Sequence, residues 1–501
     1  MDKRKRTIAL QELRSREFDV CVIGSGFAGT AIARRLVSEG IQVLLVESGT
    51  GMSRWFLDRR MSELAAYEVT GNAQYPDKKT KARLLGGNSN FWTGRVERLH
   101  PSDFEKHPYT PPENPWPIGY DDLEPYYEEA EQLLRVRCGE REPEAPPRRV
   151  GYPLPARADI AYLRDLFAKA GVNATDSPTA TPAHGFRFFS AYREWMPEAL
   201  RYPTLALLPG ATVTRLVVGP DRIVTGAELQ TLDGGKAVAT AKYFVCACGG
   251  MENPRLLMLS ACEEFPAGIG NHGDQLGRGF NEHPAVNFYA KTTHSWGTLK
   301  PTNKIARTHQ FYGRFREEGL GSIIPVMRQA WILPHHVMPL RLRNLPPMLL
   351  SWVDRVANPV LYMGVTIEQS ISPSNRVTLS KDRRDAFGNP LAHLHFDFTP
   401  EDLRLLDRCR ELCEKVLQRV GAREIREAEV TFSRHHQGTC RMGTRPESSV
   451  VDPDCRIHGT SNCYVAGCDV MVTGGAMQPV DTITALALRL GDHLTSRLVA
   501  G

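Results

Sequence analysis

The sequence predicts an α/β protein whose centre is a doubly wound, Rossmann-type nucleotide-binding domain, accompanied by a second domain. Three observations predict it. Residues 18–47 read as one complete strand, glycine loop, helix, strand and acid. Three more glycine-rich segments sit beside strand-like runs, at 84–94, 243–257 and 462–479. The composition is that of an ordinary globular chain, 42% apolar and 24% charged over 501 residues, which suits two to four domains and excludes a disordered protein. No run of about 18 apolar residues occurs, so no membrane span is expected.

The first element is a basic arm. Residues 1–16 hold Lys3, Arg4, Lys5, Arg6, Arg14 and Arg16 against Asp2 and Glu12, which is +4 of the formal net charge of +5. The rest of the chain is nearly neutral, so the charge gives no reason to expect a nucleic-acid partner. The arm, residues 1–15, is expected to be solvated and flexible. No apolar stretch follows Arg6, so it does not read as a secretory signal.

The nucleotide unit comes next. Phe18–Ile23 is a short apolar run, read as a buried strand, and Gly24-Ser25-Gly26-Phe27-Ala28-Gly29 follows at once. Ala28, Ile32 and Leu36 recur at helical spacing up to Gly40, and a second strand over 41–46 ends on Glu47. In such a unit Gly24 makes the turn, Gly26 lets the backbone approach a pyrophosphate, and Gly29 allows close helix–strand packing. The helix start offers free N–H groups to phosphates, and Glu47 stands where an acid meets ribose hydroxyls. An acid there disfavours a 2′-phosphate. The unit alone leaves NAD and FAD open.

Two helices follow from periodicity. Pro400–Val420 carries Leu406, Cys409, Leu412, Cys413, Val416, Leu417 and Val420 on one face, with Thr399 as cap and Gly421 as stop. Cys409 and Cys413 are therefore core residues. The eleven cysteines show no Cys-x-x-Cys pair, and Cys455, His458, Cys463 and Cys468 lack a usual zinc spacing, so no metal site is expected. A reduced, cytoplasmic protein fits this usage. The last helix starts at Pro479, a favoured first position. Ile483, Leu486, Ala487, Leu490 and Leu494 form its apolar face.

The segments 86–94, 116–127, 247–257, 274–278, 375–380 (Asn375-Arg376-Val377-Thr378-Leu379-Ser380), 438–443 (Gly438-Thr439-Cys440-Arg441-Met442-Gly443) and the last forty residues, taken together with the opening unit, resemble the glucose–methanol–choline (GMC) oxidoreductases. The resemblance is nearest to the branch of pyranose oxidases and bacterial sugar dehydrogenases. It implies FAD as cofactor and two interleaved domains. An FAD-binding domain would be built from 16–110, 200–285 and 445–501. A substrate domain, an α+β unit on a large antiparallel sheet, would be built from 111–199 and 286–444. Gly87, Asn88, Asn90, Phe91 and Trp92 would pass near the flavin ring. Val213 would meet the adenine side through its backbone, Gly249 would belong to the middle FAD segment, and Asp469 would contact the ribityl–phosphate region. Pro479 and Thr482, at the start of the terminal helix, would face the flavin edge that carries the charge of the reduced form. Pyranose oxidases bond their flavin covalently through a histidine at the loop position where this chain has Phe91, so FAD is expected to be non-covalent.

Alcohol oxidation needs a base for the hydroxyl proton, and histidine suits the task. In the family the base lies three residues before Gly-Thr, which is His435 here. Its neighbour His436 points the other way in an extended segment. The family's second catalytic residue, Asn or His, precedes the proline of the terminal helix; this chain has Gln478, which can hold a hydroxyl but cannot take a proton at neutral pH. Glu282-His283-Pro284 matches the family's Asp-His-Pro segment, and His283 reads as structural. Arg341 and Arg343 read as solvated surface.

The expected activity is FAD-dependent oxidation of an alcohol group of a sugar, glycoside or amino sugar, with oxygen or another electron acceptor. Two other classes remain open at this point. Hydroxynitrile lyases share this fold and keep FAD without redox turnover; oxidation of a non-carbohydrate alcohol in a natural-product pathway is the other. An NAD-dependent dehydrogenase would be colourless when purified.

Overall fold

The computed structural model describes residues 6–51, 63–77, 80–139, 142–156, 160–183, 189–291, 305–331 and 359–499. Arg341 and Arg343 lie outside the described residues.

Strands with no polar face must be covered on both sides, which is the condition of a parallel α/β sheet. Val20–Ile23 and Val43–Glu47 are buried at every position. They form the middle of a five-stranded parallel sheet in the order Cys463–Val465, Tyr243–Cys246, Val20–Ile23, Val43–Glu47, Leu205–Pro209. The helix Phe27–Ser38 and the terminal helix Val480–Val499 pack together beside it. A three-stranded antiparallel sheet, Ala211–Val218, Val224–Thr231 and Lys236–Ala239, is attached to this half.

The second half is a six-stranded antiparallel sheet. Its order is Arg423–Phe432, Pro284–Lys291, Pro359–Ile367, Ile323–Trp331, Ile305–Arg307, Thr175–Asp176. The helix Pro400–Arg419 backs it and buries Leu405, Leu406, Cys409, Cys413, Val416 and Leu417. Its cap is the one expected: Thr399 Oγ1 accepts from Asp402 N at 3.2 Å, and Asp402 returns the bond to Thr399 N at 3.0 Å.

Three segments sit differently from their sequence reading. The arm is not free over its whole expected length: Thr7 bridges to Leu207, Ile8 N–H donates to Leu207 O at 2.9 Å, and Ile8 and Leu13 are buried in the first core. Burial of these two apolar side chains favours docking of the arm's end over solvation. The helix Tyr120–Leu134, expected in the second domain, buries Tyr120, Leu123, Tyr127 and Leu134 in the first core. The strand Tyr67–Thr70, expected in the first domain, pairs in parallel with Pro390–His395 from the second. Among the described residues no helix is long and apolar enough to cross a membrane.

Candidate active site

The glycine loop of the opening unit shows three separate demands. Gly24 has φ +105°, and a Cβ there would lie 2.5 Å from Ala247 O. A Cβ on Gly29 would lie 1.9 Å from Gly24 O, so helix and strand are in backbone contact. A Cβ on Gly26 meets nothing within 4 Å, and the residue lines a cavity. The helix Phe27–Ser38 starts there, with its first N–H groups uncapped by any side chain.

Glu47, at the end of the second strand, is buried and lines the same cavity. Its Oε2 accepts from Ser25 N at 3.0 Å and Ser25 Oγ at 2.8 Å, and its Oε1 accepts from Gly49 N at 2.9 Å. Burial raises its pKa against these donors. Ser25 Oγ also accepts from Gly86 N at 2.9 Å, which ties the second glycine segment to the first.

That second segment forms a tight turn over Gly87–Asn90. Gly87, Asn88, Phe91 and Trp92 line the cavity, and Phe91 is 46% exposed. Asn90 does not reach the cavity. Its Nδ2 donates to Leu85 O at 3.0 Å and Gly87 O at 2.9 Å, and its Oδ1 accepts from Ser190 Oγ at 2.8 Å, so it staples the loop. Val213 and Gly249 line the cavity from the attached sheet and the third segment.

The terminal segment divides in the same way. Gln478 and Pro479 line the cavity, and Gln478 Nε2 is buried with no hydrogen-bond partner. Asp469 and Thr482 stand behind the wall. Asp469 Oδ2 accepts from Asn253 Nδ2 at 2.8 Å, and Asn253 Oδ1 accepts from Cys248 N at 2.8 Å, which joins the third and fourth glycine segments. Burial pushes the Asp469 carboxyl up to about 6. Thr482 Oγ1 is 2.9 Å from Tyr127 OH.

His435 reaches the cavity from the other half, just beyond the end of the strand Arg423–Phe432. Its Nδ1 is 2.9 Å from Nδ1 of His283, which the sequence left as structural. Burial and the nearby charges of His283, Arg95 and His436 hold His435 well below the ordinary histidine value. His436 also lines the cavity; its Nε2 is 3.0 Å from Tyr75 OH, and burial pushes it down to about 3. Glu282 lies beneath this turn with no exposure and accepts from the backbone of Arg434, His435, His283 and Ser433. Burial still raises it to about 7. Glu282 and His283 were visible in sequence as an ionisable pair before a proline, but not their contact with His435.

At one end of the cavity Lys81, Arg83 and Arg255 converge on Glu252, and Arg255 NH2 bonds Asp385 at 2.5 Å. Burial lowers Lys81 to about 8. Nothing in the sequence pattern marks this cluster.

The cavity has a volume of 1310 Å³ and runs from the open face of Gly26 to His435 and Gln478. An open glycine at a helix start, an acid beside it, and an unpartnered amide donor at the far wall suit an extended dinucleotide with a reactive ring. The fold and site thus define a dinucleotide-dependent oxidoreductase.

The chain belongs to the GMC oxidoreductase family: two GMC oxidoreductase profiles match residues 80–285 and 372–487. It is 30% identical over 545 residues to 6'''-hydroxyparomomycin C oxidase of Streptomyces lividus, covering 97% of this chain and 92% of the relative. It is 28% identical over 534 residues to paromamine 6'-oxidase of Streptomyces fradiae, with the same two shares. The solved structure of pyridoxine 4-oxidase from Mesorbium loti, 21% identical, superposes with a TM-score of 0.67 over 95% of this chain and 99% of that one, which shows the fold. The protein is therefore an FAD-dependent oxidoreductase acting on CH–OH groups.

Proposed function

We propose that the chain oxidises an alcohol group of a sugar, glycoside or amino sugar, with His435 as the base and Gln478 as the residue that orients the hydroxyl. One observation carries this reading. His435 lines the cavity and anchors Nδ1 on His283, leaving Nε2 without a protein partner among the described residues, and Gln478 lines the same cavity with a buried Nε2 that has no hydrogen-bond partner. Flavin, when bound, supplies the hydride acceptor. The neutral His435 Nε2 takes the hydroxyl proton, and the Gln478 amide donates to the substrate oxygen. Burial keeps His435 in the neutral form, which is the form that can take a proton.

Gly24, Gly26, Glu47, Gly87, Asn88, Phe91, Trp92, Val213, Gly249 and Pro479 supply the wall against which FAD would lie. Gly29, Asn90, Asp469 and Thr482 would hold that wall from behind. Phe91 carries no nucleophilic atom, which supports non-covalent FAD. The sugar-like substrate class rests on the two Streptomyces relatives, whose names specify oxidation of paromamine and of a paromomycin derivative. The eleven cysteines are free thiols, which supports a reducing, cytoplasmic setting.

The test is an anaerobic absorption spectrum of the purified yellow protein titrated with paromamine and a panel of hexoses, followed by admission of air. Bleaching by one of them, with colour that returns in air or with a supplied acceptor, is expected. A flavin that no alcohol bleaches, in a protein that cleaves a hydroxynitrile, would establish the lyase class instead.

A further inference from the structure

We propose that His283 is a positioning residue for His435: its Nδ1 accepts the Nδ1–H of His435, which fixes the tautomer that presents a bare Nε2 to the cavity. The inference rests on the reading of His435 as the base.

The contact follows from sheet register. Pro284 pairs with Phe432 across the antiparallel strands, so the residues just outside that pair, 282–283 and 433–435, continue side by side. Ser433 N and Oγ both donate to His283 O, at 3.3 and 3.1 Å, and His435 N donates to Glu282 Oε1. The two imidazoles then meet through Nδ1 at 2.9 Å, with ring planes at 85°. A hydrogen bond between two neutral imidazoles needs one proton on that axis, on one ring only. The environment of His283 decides which. Its Nε2 end lies against Gly474, where an added Cβ would come within 3.1 Å. Gln437, 3.4 Å away, has a buried Oε1 without a partner, and turning its amide over would set that oxygen on His283 Nε2. With Nε2 donating, neutral His283 has a bare Nδ1, and the shared proton belongs to His435. His435 Nε2 is then the acceptor nitrogen. When it takes the substrate's hydroxyl proton, the imidazolium keeps its Nδ1–H on His283, which stays neutral.

Burial and neighbours agree with this assignment. His283 has no exposure and is pushed down to about 4, against the pull of Glu368 and Glu97. The charged and titratable groups around His435 are Arg95, His436 and Glu282. None of these replaces the Nδ1 acceptor.

The experiment compares H283L, H283N, H283Q and H435A as flavin-loaded enzymes reduced anaerobically by whichever of paromamine or the hexoses bleaches wild type. H283L should slow flavin reduction about 10- to 100-fold, the range for loss of a partner that orients an imidazole, with substrate Kd within about threefold. H283N sets an oxygen near the Nδ1 position and should recover most of the rate; H283Q, which reaches toward the Nε2 position, should not. Wild-type rates in H283L, or equal rates in H283N and H283Q, would overturn the proposal. If H435A itself reduced normally, the base assignment would fall instead. Nitrogen NMR of ¹⁵N-histidine protein, with His435 assigned by its loss in H435A, should show Nδ1 protonated and Nε2 bare at neutral pH. The reverse tautomer overturns the proposal whether or not H283L folds.

Discussion

His435 has its charge state set chiefly by burial, with Arg95 nearby, so two results follow at this one residue. Replacing it by alanine should lower the flavin-reduction rate at least about 10²-fold, the low end for loss of a general base. The pH profile should also be unusual. A base works when unprotonated, and that population is complete above its folded pKa and lost below it. With the folded value well below 6.5, the rate should stay flat between about pH 6 and 8; a limb at or above 6.5 would contradict the assignment. Glu282 has the opposite shift. A carboxyl raised from 4.5 to about 7 contributes stability that is complete below the unfolded value and lost as pH rises through 7. Gln cannot titrate, so the melting temperature of E282Q relative to wild type should climb by several degrees between about pH 5 and 8. A pH-independent difference would show that Glu282 stays ionised. The position of His435 before Gly-Thr was legible in the sequence. Its partner was not, because 152 residues separate it from His283 and only the strand register joins them.

The glycine loop separates cofactor approach from packing, because its glycines are small for different reasons. A Cβ at Gly26 meets no protein atom, and its φ of −68° suits any residue. G26A should therefore fold with a melting temperature near wild type and be purified with little or no flavin, since the methyl occupies the face left for the cofactor. A Cβ at Gly29 would stand 1.9 Å from a carbonyl oxygen, so G29A should lose folded yield. Soluble expression, circular dichroism and flavin absorbance check both variants; a G26A protein as yellow as wild type would remove the close-approach argument. This element was readable because its demands are local. The same holds for Pro400–Arg419, whose cap and stripe lie within one stretch. Asn90, Asp469 and Thr482 were expected at the cofactor from the family resemblance, but which way each side chain turns is set by Ser190, Asn253 and Tyr127 from distant elements.

One cavity is walled by nearly every glycine segment and by both halves of the molecule. Gly26 and Glu47 come from the parallel sheet, Gln478 from the start of the terminal helix, and His435 from beyond the end of an antiparallel strand. The recurrence of glycine segments along the chain made interleaving legible, since one site could not otherwise be built from residues 24 and 478. The allotment of Tyr120–Leu134 and Tyr67–Thr70 to the two halves was not legible, because an amphipathic helix or a short strand carries no address for its partner. The shared wall has a thermodynamic consequence. A ligand that touches both halves and binds only the folded chain stabilises by about 2.7 kcal/mol at a hundredfold excess over Kd. Flavin stripped by acid salt and then restored should raise the melting temperature by several degrees, in proportion to the logarithm of free FAD. Calorimetry of the loaded protein should show one cooperative transition, because melting either half opens the wall and releases the cofactor. Two transitions of which only one moved with FAD would mean that the antiparallel half, and His435 with it, is not coupled to the bound cofactor.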